Sequence, residues 1–194
     1  LIAANTNSFG HGDEDAWMLK MNPSGDLLFS EFYGDTLEDH VNSLMLMPDQ
    51  GFVFVGHTRS YGAQETEIWL MRFDAAYQYM WKLPEFWNIG AAEDKAAHVA
   101  LNHKGQYLIS GYTTGAGNGG REMLAMVMAE WNDFKYSNTF GSLEDEEVKT
   151  AFQTSDLGYL VTGYTSGLGP SNTNVYVIKT DSTMAFSGAA IYTT

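Results

Sequence analysis

Phe52-Val53-Phe54-Val55-Gly56-His57-Thr58, followed after a turn by Ile68-Trp69-Leu70-Met71-Arg72-Phe73-Asp74, decides the reading of this 194-residue chain, because the pair recurs. Strand-like runs ending in threonine stand at Leu1–Thr6, Phe52–Thr58, Tyr107–Thr113 and Tyr159–Thr165, with the threonines 52, 55 and 52 residues apart. Eleven residues beyond each threonine come Trp17, Trp69, Leu124 and Tyr176, at the same three spacings. Two landmarks that keep one period mark a tandem repeat. The repeats are placed at 1–51, 52–106, 107–158 and 159–194, within a single domain covering the chain.

Each repeat has the same internal order. A glycine-rich turn separates the first run from a second at Ala16–Met21, Ile68–Phe73, Met123–Met128 and Val175–Thr180. The second run ends near a basic residue (Lys20, Arg72, Lys179) and a turn containing Asn22, Asp74 or Asp181. A third, aromatic run is expected at Leu27–Tyr33, Tyr77–Leu83, Phe134–Phe140 and Met184–Tyr192. Glycine and acids then precede a fourth run at Val41–Met47, Ala96–Leu101 and Val148–Gln153. Short runs rich in β-branched and aromatic residues, bounded by Gly, Asn, Asp and Ser, read as strands. Four per repeat is the make-up of a propeller blade. Trp17, Leu19 and Met21 alternate with Ala16 and Met18, so the second run is expected to bury both faces, as stacked blades require. The expected fold is all-β, a β-propeller of about four blades of four antiparallel strands, as a closed ring or a segment of a larger one. The chain starts on a first-type run and stops after a third-type run, so one strand of the set is missing.

Composition narrows the partners. Ten Lys and Arg stand against 24 Asp and Glu, a net charge of −14, which argues against nucleic acid and anionic membrane. No run approaches the ~20 apolar residues that span a bilayer, so no membrane insertion is expected. With no cysteine there is no thiol nucleophile and no disulfide framework, which suits an exported protein. Leu1-Ile2-Ala3 at the start, without Met or signal peptide, reads as a processed product or an excerpt.

Gly56-His57-Thr58-x-Ser60, Asp15-Ala16-Trp17-Met18-Leu19-Lys20, Phe32-Tyr33-Gly34 and Asp49-Gln50-Gly51-Phe52 together resemble the tandem β-propeller repeats of secreted and surface proteins of bacteria and some protists. Those repeats run G-x-T, D-x-W-x-x-K-x-D, Y-G-G and D-G-G-Y. The resemblance covers essentially the whole chain and rests on turn and core residues. It implies a propeller fold and an extracellular or cell-surface location, and no single activity.

Chemistry-bearing motifs dissolve when compared with the repeats. Gly115-Ala116-Gly117-Asn118-Gly119-Gly120 matches a dinucleotide fingerprint, and Arg121–Trp131 could pass for its helix, yet the aligned stretches Trp17-Met18-Leu19 and Tyr176-Val177-Ile178 are strand-like. A glycine turn is expected there. Asp13-Glu14-Asp15 and Glu144-Asp145-Glu146-Glu147 lack the spaced ligands of a calcium loop. Recurrent Asp39, Asp94 and Asp145 are expected to accept backbone N–H bonds at turns. His11, His40, His57, His98 and His103 form no zinc motif and are expected to be structural or exposed. No catalytic residue, metal site or cofactor is assigned. Trp81, Trp87 and Trp131 lie outside the repeated Trp position and are candidate binding residues, as platforms for sugar rings.

Three functions are ranked on this basis. First is a non-catalytic extracellular scaffold, surface-layer or fibre subunit that completes its open edge with a neighbouring segment or by self-association. Second is a ligand-binding propeller, with glycans as ligands. Last is an enzyme whose site is assembled across blades.

Overall fold

The structure is a computed structural model that describes residues 1–80, 92–117, 119–129 and 133–193, together with the backbone of 85–87. The described residues contain strands and turns and no helix, so none is long and apolar enough to cross a membrane. The strands form four small antiparallel sheets. The first holds β1 (Ile2–Thr6), β2 (Asp15–Met21) and β3 (Leu27–Tyr33). The second holds β4 (Asp39–Leu46), β5 (Phe52–Thr58), β6 (Glu67–Phe73) and β7 (Glu85–Trp87). The third holds β8 (Asp94–Leu101), β9 (Tyr107–Thr113), β10 (Glu122–Ala129) and β11 (Asp133–Phe140). The fourth holds β12 (Glu146–Gln153), β13 (Tyr159–Thr165), β14 (Asn174–Thr180) and β15 (Phe186–Tyr192). In every sheet, strands that follow one another in sequence lie side by side.

Sheet and repeat are out of phase. Each four-stranded sheet takes its first strand from the end of one repeat and its other three from the next. The strand lacking in the first sheet is therefore the counterpart of β4, β8 and β12, and its place lies beside β1.

Glycine sets how that first strand enters. β4 pairs Asp39 with Thr58 and Val41 with Gly56, then bulges before Ser43 pairs with Val55. β8 repeats this with Asp94–Thr113 and Ala96–Gly111, and β12 with Glu146–Thr165 and Val148–Gly163, each bulging immediately afterwards. At the bulge the carbonyl oxygen of His40, Lys95 or Glu147 turns onto the opposing glycine. A Cβ there would lie 1.7 Å from the His40 oxygen, 1.8 Å from that of Lys95 and 1.8 Å from that of Glu147. Only a residue without a side chain permits the approach.

The chain divides into two compact units, Leu1–Trp87 and Asn88–Thr194. In the first, β4 packs against β1 and β2, and the core gathers Ala16 and Met18 with Val41, Phe52, Phe54, Trp69, Met71 and Phe73. Phe54 meets Trp69 edge-on at 5.0 Å, and Phe52 stacks on Phe73 at 4.5 Å. Burying an aromatic of this kind stabilises by about 1.5–3 kcal/mol, and ring pairs add about 0.5–1.5 kcal/mol. In the second unit β12 packs against β8, β9 and β10, joining Leu108, Met123, Ala125 and Val127 to Val148, Val161, Tyr176 and Ile178.

Of the second runs, β6 is buried at every position and β10 at all but its last, whereas β14 alternates between buried and half-buried residues. Burial on both faces fails for β2, where Ala16 and Met18 are buried but Trp17 and Leu19 are only half-buried and Met21 is exposed. The third run expected at Tyr77–Leu83 is also displaced, because the strand in that place is Glu85–Trp87. Asp74 accepts the N–H groups of Ala76 and Gln78, and Tyr77 takes a left-handed φ of 64°, so these residues form the hairpin turn. Asn22 and Asp181 cap the corresponding turns in the same way, bonding Ser24 and Asp26, and Thr183 and Ala185. The basic residues ending the second runs reach back to turn acids: Arg72 pairs with Asp49, and Lys179 with Asp156 at 2.9 Å.

Gly111→Ala drives a methyl group into the Lys95 carbonyl and is expected to destabilise the fold by about 3 kcal/mol. Gly188→Ala, with open space around it, is expected to change stability by less than about 0.5 kcal/mol. Urea unfolding of both variants checks the contrast.

Candidate functional site

The first strands of the complete sheets open on a buried acid. Asp39, Asp94 and Glu146 lie opposite the threonines that end β5, β9 and β13, and all three are at most 1 % exposed. Thr58 donates its hydroxyl to Asp39 Oδ1, while the Ser60 hydroxyl (2.6 Å) and the Asp35 N–H (2.8 Å) donate to Oδ2. Glu146 receives the Thr165 hydroxyl at 2.6 Å, the Ser142 hydroxyl at 2.7 Å and the Ser142 N–H at 2.7 Å. Burial pushes the Asp39 carboxyl above its ordinary range, and the nearby charge of Asp15 adds to this, against the lowering by its hydrogen bonds. In the third repeat the buried position belongs to Glu146, one residue beyond Asp145, the acid that aligns with the run at Asp39 and Asp94. The side chain of Asp145 instead accepts the Arg121 N–H at 2.8 Å, because the strand starts one residue later than the acid run suggests.

A second row of polar residues opens β2, β6, β10 and β14: Asp15, Glu67, Glu122 and Asn174, all at most 5 % exposed. Asp15 accepts the N–H groups of His11 (2.6 Å) and Gly12 (3.1 Å). Asn174 donates to the carbonyls of Leu168 and Ser171, both at 2.7 Å. A neutral amide serves in one repeat where acids serve in three. The position therefore needs a hydrogen-bonding turn residue, not an ionisable one.

The repeat is broken at one cluster in the first unit. Glu14 and Glu38 immediately precede β2 and β4, and their backbones form a parallel bridge. His40 on β4 lies directly opposite His57 on β5, and the two rings stack at 4.9 Å. Nε2 of His40 is 2.9 Å from Glu14 Oε2, and Nε2 of His57 is 3.2 Å from Glu38 Oε1. Ligand atoms of Glu14, Glu38 and His40 all lie within 4.8 Å of one another, the sole group of three such residues so placed among those described. His57 is nearly buried, at 6 % side-chain exposure, whereas Glu14 (35 %) and Glu38 (37 %) reach solvent.

Asn5 fixes the protons of this cluster. Its amide oxygen accepts the Val41 N–H at 2.8 Å and its amide nitrogen donates to the Val41 carbonyl at 3.0 Å, so the amide cannot be turned round without losing both bonds. The same nitrogen lies 3.1 Å from His40 Nδ1. Nδ1 therefore accepts, and neutral His40 carries its proton on Nε2, towards Glu14. Asn42 lies likewise 3.3 Å from His57 Nδ1.

The junction between the last two sheets shows a different filling of the same positions. Moving 107 residues along the chain carries Glu14, Glu38, His40, Asn42 and His57 onto Arg121, Asp145, Glu147, Lys149 and Tyr164. There Arg121 pairs with Glu147 at 3.4 Å, Lys149 pairs with it at 2.8 Å, and Lys149 lies over the Tyr164 ring. At this junction two cations thus lie against Glu147, while Asp145 accepts the Arg121 backbone N–H. In the first unit the two cations are replaced by Glu14 and Asn42, and two imidazoles are added.

No known family's sequence profile matches the chain, and no curated protein matches it. The crystal structure of a protein of unknown function from Bacteroides caccae is similar at a TM-score of 0.35 and 11 % identity, over 91 % of this chain and 74 % of that one. A likeness at that score carries no argument here.

Of the three candidate tryptophans, Trp81 and Trp131 lie outside the described residues, and Trp87 ends β7, where its backbone pairs with Ile68. The glycine stretch before Arg121 lies between β9 and β10, and Glu122–Ala129 is a strand, not a helix. His11 is exposed, His103 sits in a turn with its N–H on Gln153, and burial lowers the pKa of His98. His98 and His103 do not share a strand, because β8 ends at Leu101.

Thr165→Val takes one of three hydrogen bonds from buried Glu146 and the acceptor from the Gly167 and Leu168 N–H groups. The expected cost is about 1–3 kcal/mol. Thr183→Val in an exposed turn is expected to cost less than about 0.5 kcal/mol, with both read from urea unfolding.

Proposed function

We propose that this chain is a non-catalytic scaffold unit of β-propeller type, acting outside the cell or at its surface, whose first sheet is completed by a strand from a neighbouring segment or subunit. The observation that carries the reading is the edge of β1. Among the described residues no strand pairs with β1 on the side away from β2, where β5, β9 and β13 each hold a partner. An unpaired edge presents backbone donors and acceptors to any extended chain. Thr6 offers its hydroxyl at the position from which Thr58 and Thr165 bond a buried acid. Its oxygen already accepts the Ser8 N–H at 3.2 Å, as Thr58 accepts that of Ser60 at 2.9 Å. Repeated sheets of antiparallel meanders favour the propeller, and the hydrogen-bonded duties of the acids favour a structural role. Absence of cysteine favours the extracellular setting.

One residue limits which strand fits. Ala4 stands where β5, β9 and β13 have Gly56, Gly111 and Gly163. Its methyl group fills the space that a bulge carbonyl takes in the other sheets, so the incoming strand runs straight past β1. A second copy cannot complete this sheet with its own β4, β8 or β12 in the geometry they adopt internally.

Association is expected to grow with concentration in sedimentation velocity, and amide exchange at Ile2–Thr6 to slow along with it. A monodisperse monomer whose β1 amides exchange freely at every concentration would sink the scaffold reading.

A further inference from the structure

We infer that Glu14, Glu38, His40 and His57 form a binding site for one divalent transition-metal ion of the zinc class. Two imidazole nitrogens and two carboxylates are a donor set that suits zinc, and zinc favours four ligands in a tetrahedron. Bonds of about 2.0–2.2 Å place the ligand atoms of such an ion about 3.3 Å apart. The His40–Glu14 and His57–Glu38 contacts, at 2.9 and 3.2 Å, are already near that spacing. Ligand atoms of Glu14, Glu38 and His40 already lie within 4.8 Å of one another, and His57, at present against Glu38 alone, closes on the other two to complete the set of four.

The second unit supplies an independent reason. At the matching junction, the Arg121 guanidinium and the Lys149 ammonium lie against Glu147, with Asp145 alongside. The first unit keeps two acids at this junction but has Glu14 in place of the arginine and Asn42 in place of the lysine. The lysine and arginine of the second junction are thus absent from these positions, and imidazoles face both carboxylates instead. The imidazoles added at 40 and 57 are ligands that a divalent transition-metal ion prefers to the guanidinium and ammonium of the second junction, which cannot ligate it.

Loading shifts a proton within the ring. In the tautomer that Asn5 sets, His40 Nε2 carries a hydrogen and donates it to Glu14. When the ion takes Nε2, that hydrogen goes to Nδ1, which must then face an acceptor. For His57 a turn of the Asn42 amide presents its oxygen. For His40 the Asn5 amide must release Val41, which weakens the site and makes Asn5 its regulating outer contact. Partly exposed Glu14 and Glu38 give the ion a route from solvent.

Titration of the full chain with Co²⁺ alone, read by visible absorption and reversed with Zn²⁺, tests the inference. One cobalt per chain is expected, with the absorption of a tetrahedral site. Glu14→Arg copies the second junction and is expected to weaken binding by about 100-fold or more, beyond what an outer contact costs. Glu14→Gln and His40→Gln should lose binding too, while Asp133→Asn leaves it unchanged. The inference is overturned by a wild-type chain without saturable cobalt binding. It is equally overturned by a folded Glu14→Arg or His40→Gln chain that binds as the wild type does.

Discussion

A carbonyl oxygen resting where a side chain would otherwise be is the contact on which this architecture depends. At Gly56, Gly111 and Gly163 the first strand of each complete sheet turns a backbone oxygen onto its neighbour, and the bulge that follows resets the register. Beside it the buried acid and its threonine fix the strand's start. The two features work together. Without the glycine the strand cannot come close enough for the acid to reach the hydroxyl, and without the acid the turn N–H groups lose their acceptor. The price is a carboxylate held away from water in every complete sheet, offset by several hydrogen bonds to each of Asp39 and Glu146.

Much of this was legible in the amino-acid order. The period of threonines and of the residues eleven further on located β1, β5, β9 and β13 with β2, β6, β10 and β14. Turn chemistry at Asn22, Asp74 and Asp181 was legible because short polar side chains close such turns in a known way. The strand at Glu85–Trp87 was misplaced because Tyr77 and Tyr79 look like strand residues, and nothing local signals that Tyr77 adopts a left-handed turn. Asp145 accepts a backbone N–H as its turn position suggests, but four consecutive acids leave undetermined which of them is buried, and that one is Glu146. β2 was expected to be buried on both sides from its apolar composition, yet burial depends on what covers each face, which the sequence of one strand does not contain.

The cluster at Glu14, Glu38, His40 and His57 escaped notice for a different reason. Its members are scattered over four positions that fit no ligand-spacing motif, and only the pairing of β4 with β5 brings the imidazoles together. A signal was nevertheless present. His40 and His57 depart from the Glu147 and Tyr164 found at matching positions, and Glu14 inverts the charge of Arg121. In a repetitive chain, shared residues describe the scaffold, and function is better sought where one copy differs from the rest.

The offset between sheet and repeat links the copies to one another. Residues 39–46 complete a sheet whose other strands come from the following copy, so the stretch of sequence that duplicates is not the stretch that folds. A recombination that deletes one period joins the opening strand of one sheet to the closing strands of another. The hybrid folds only if the acid, the threonine and the glycine are interchangeable among copies. An opening strand moved from one complete sheet to another must therefore meet a glycine and a threonine at the same two places, as Gly56 with Thr58, Gly111 with Thr113 and Gly163 with Thr165 provide.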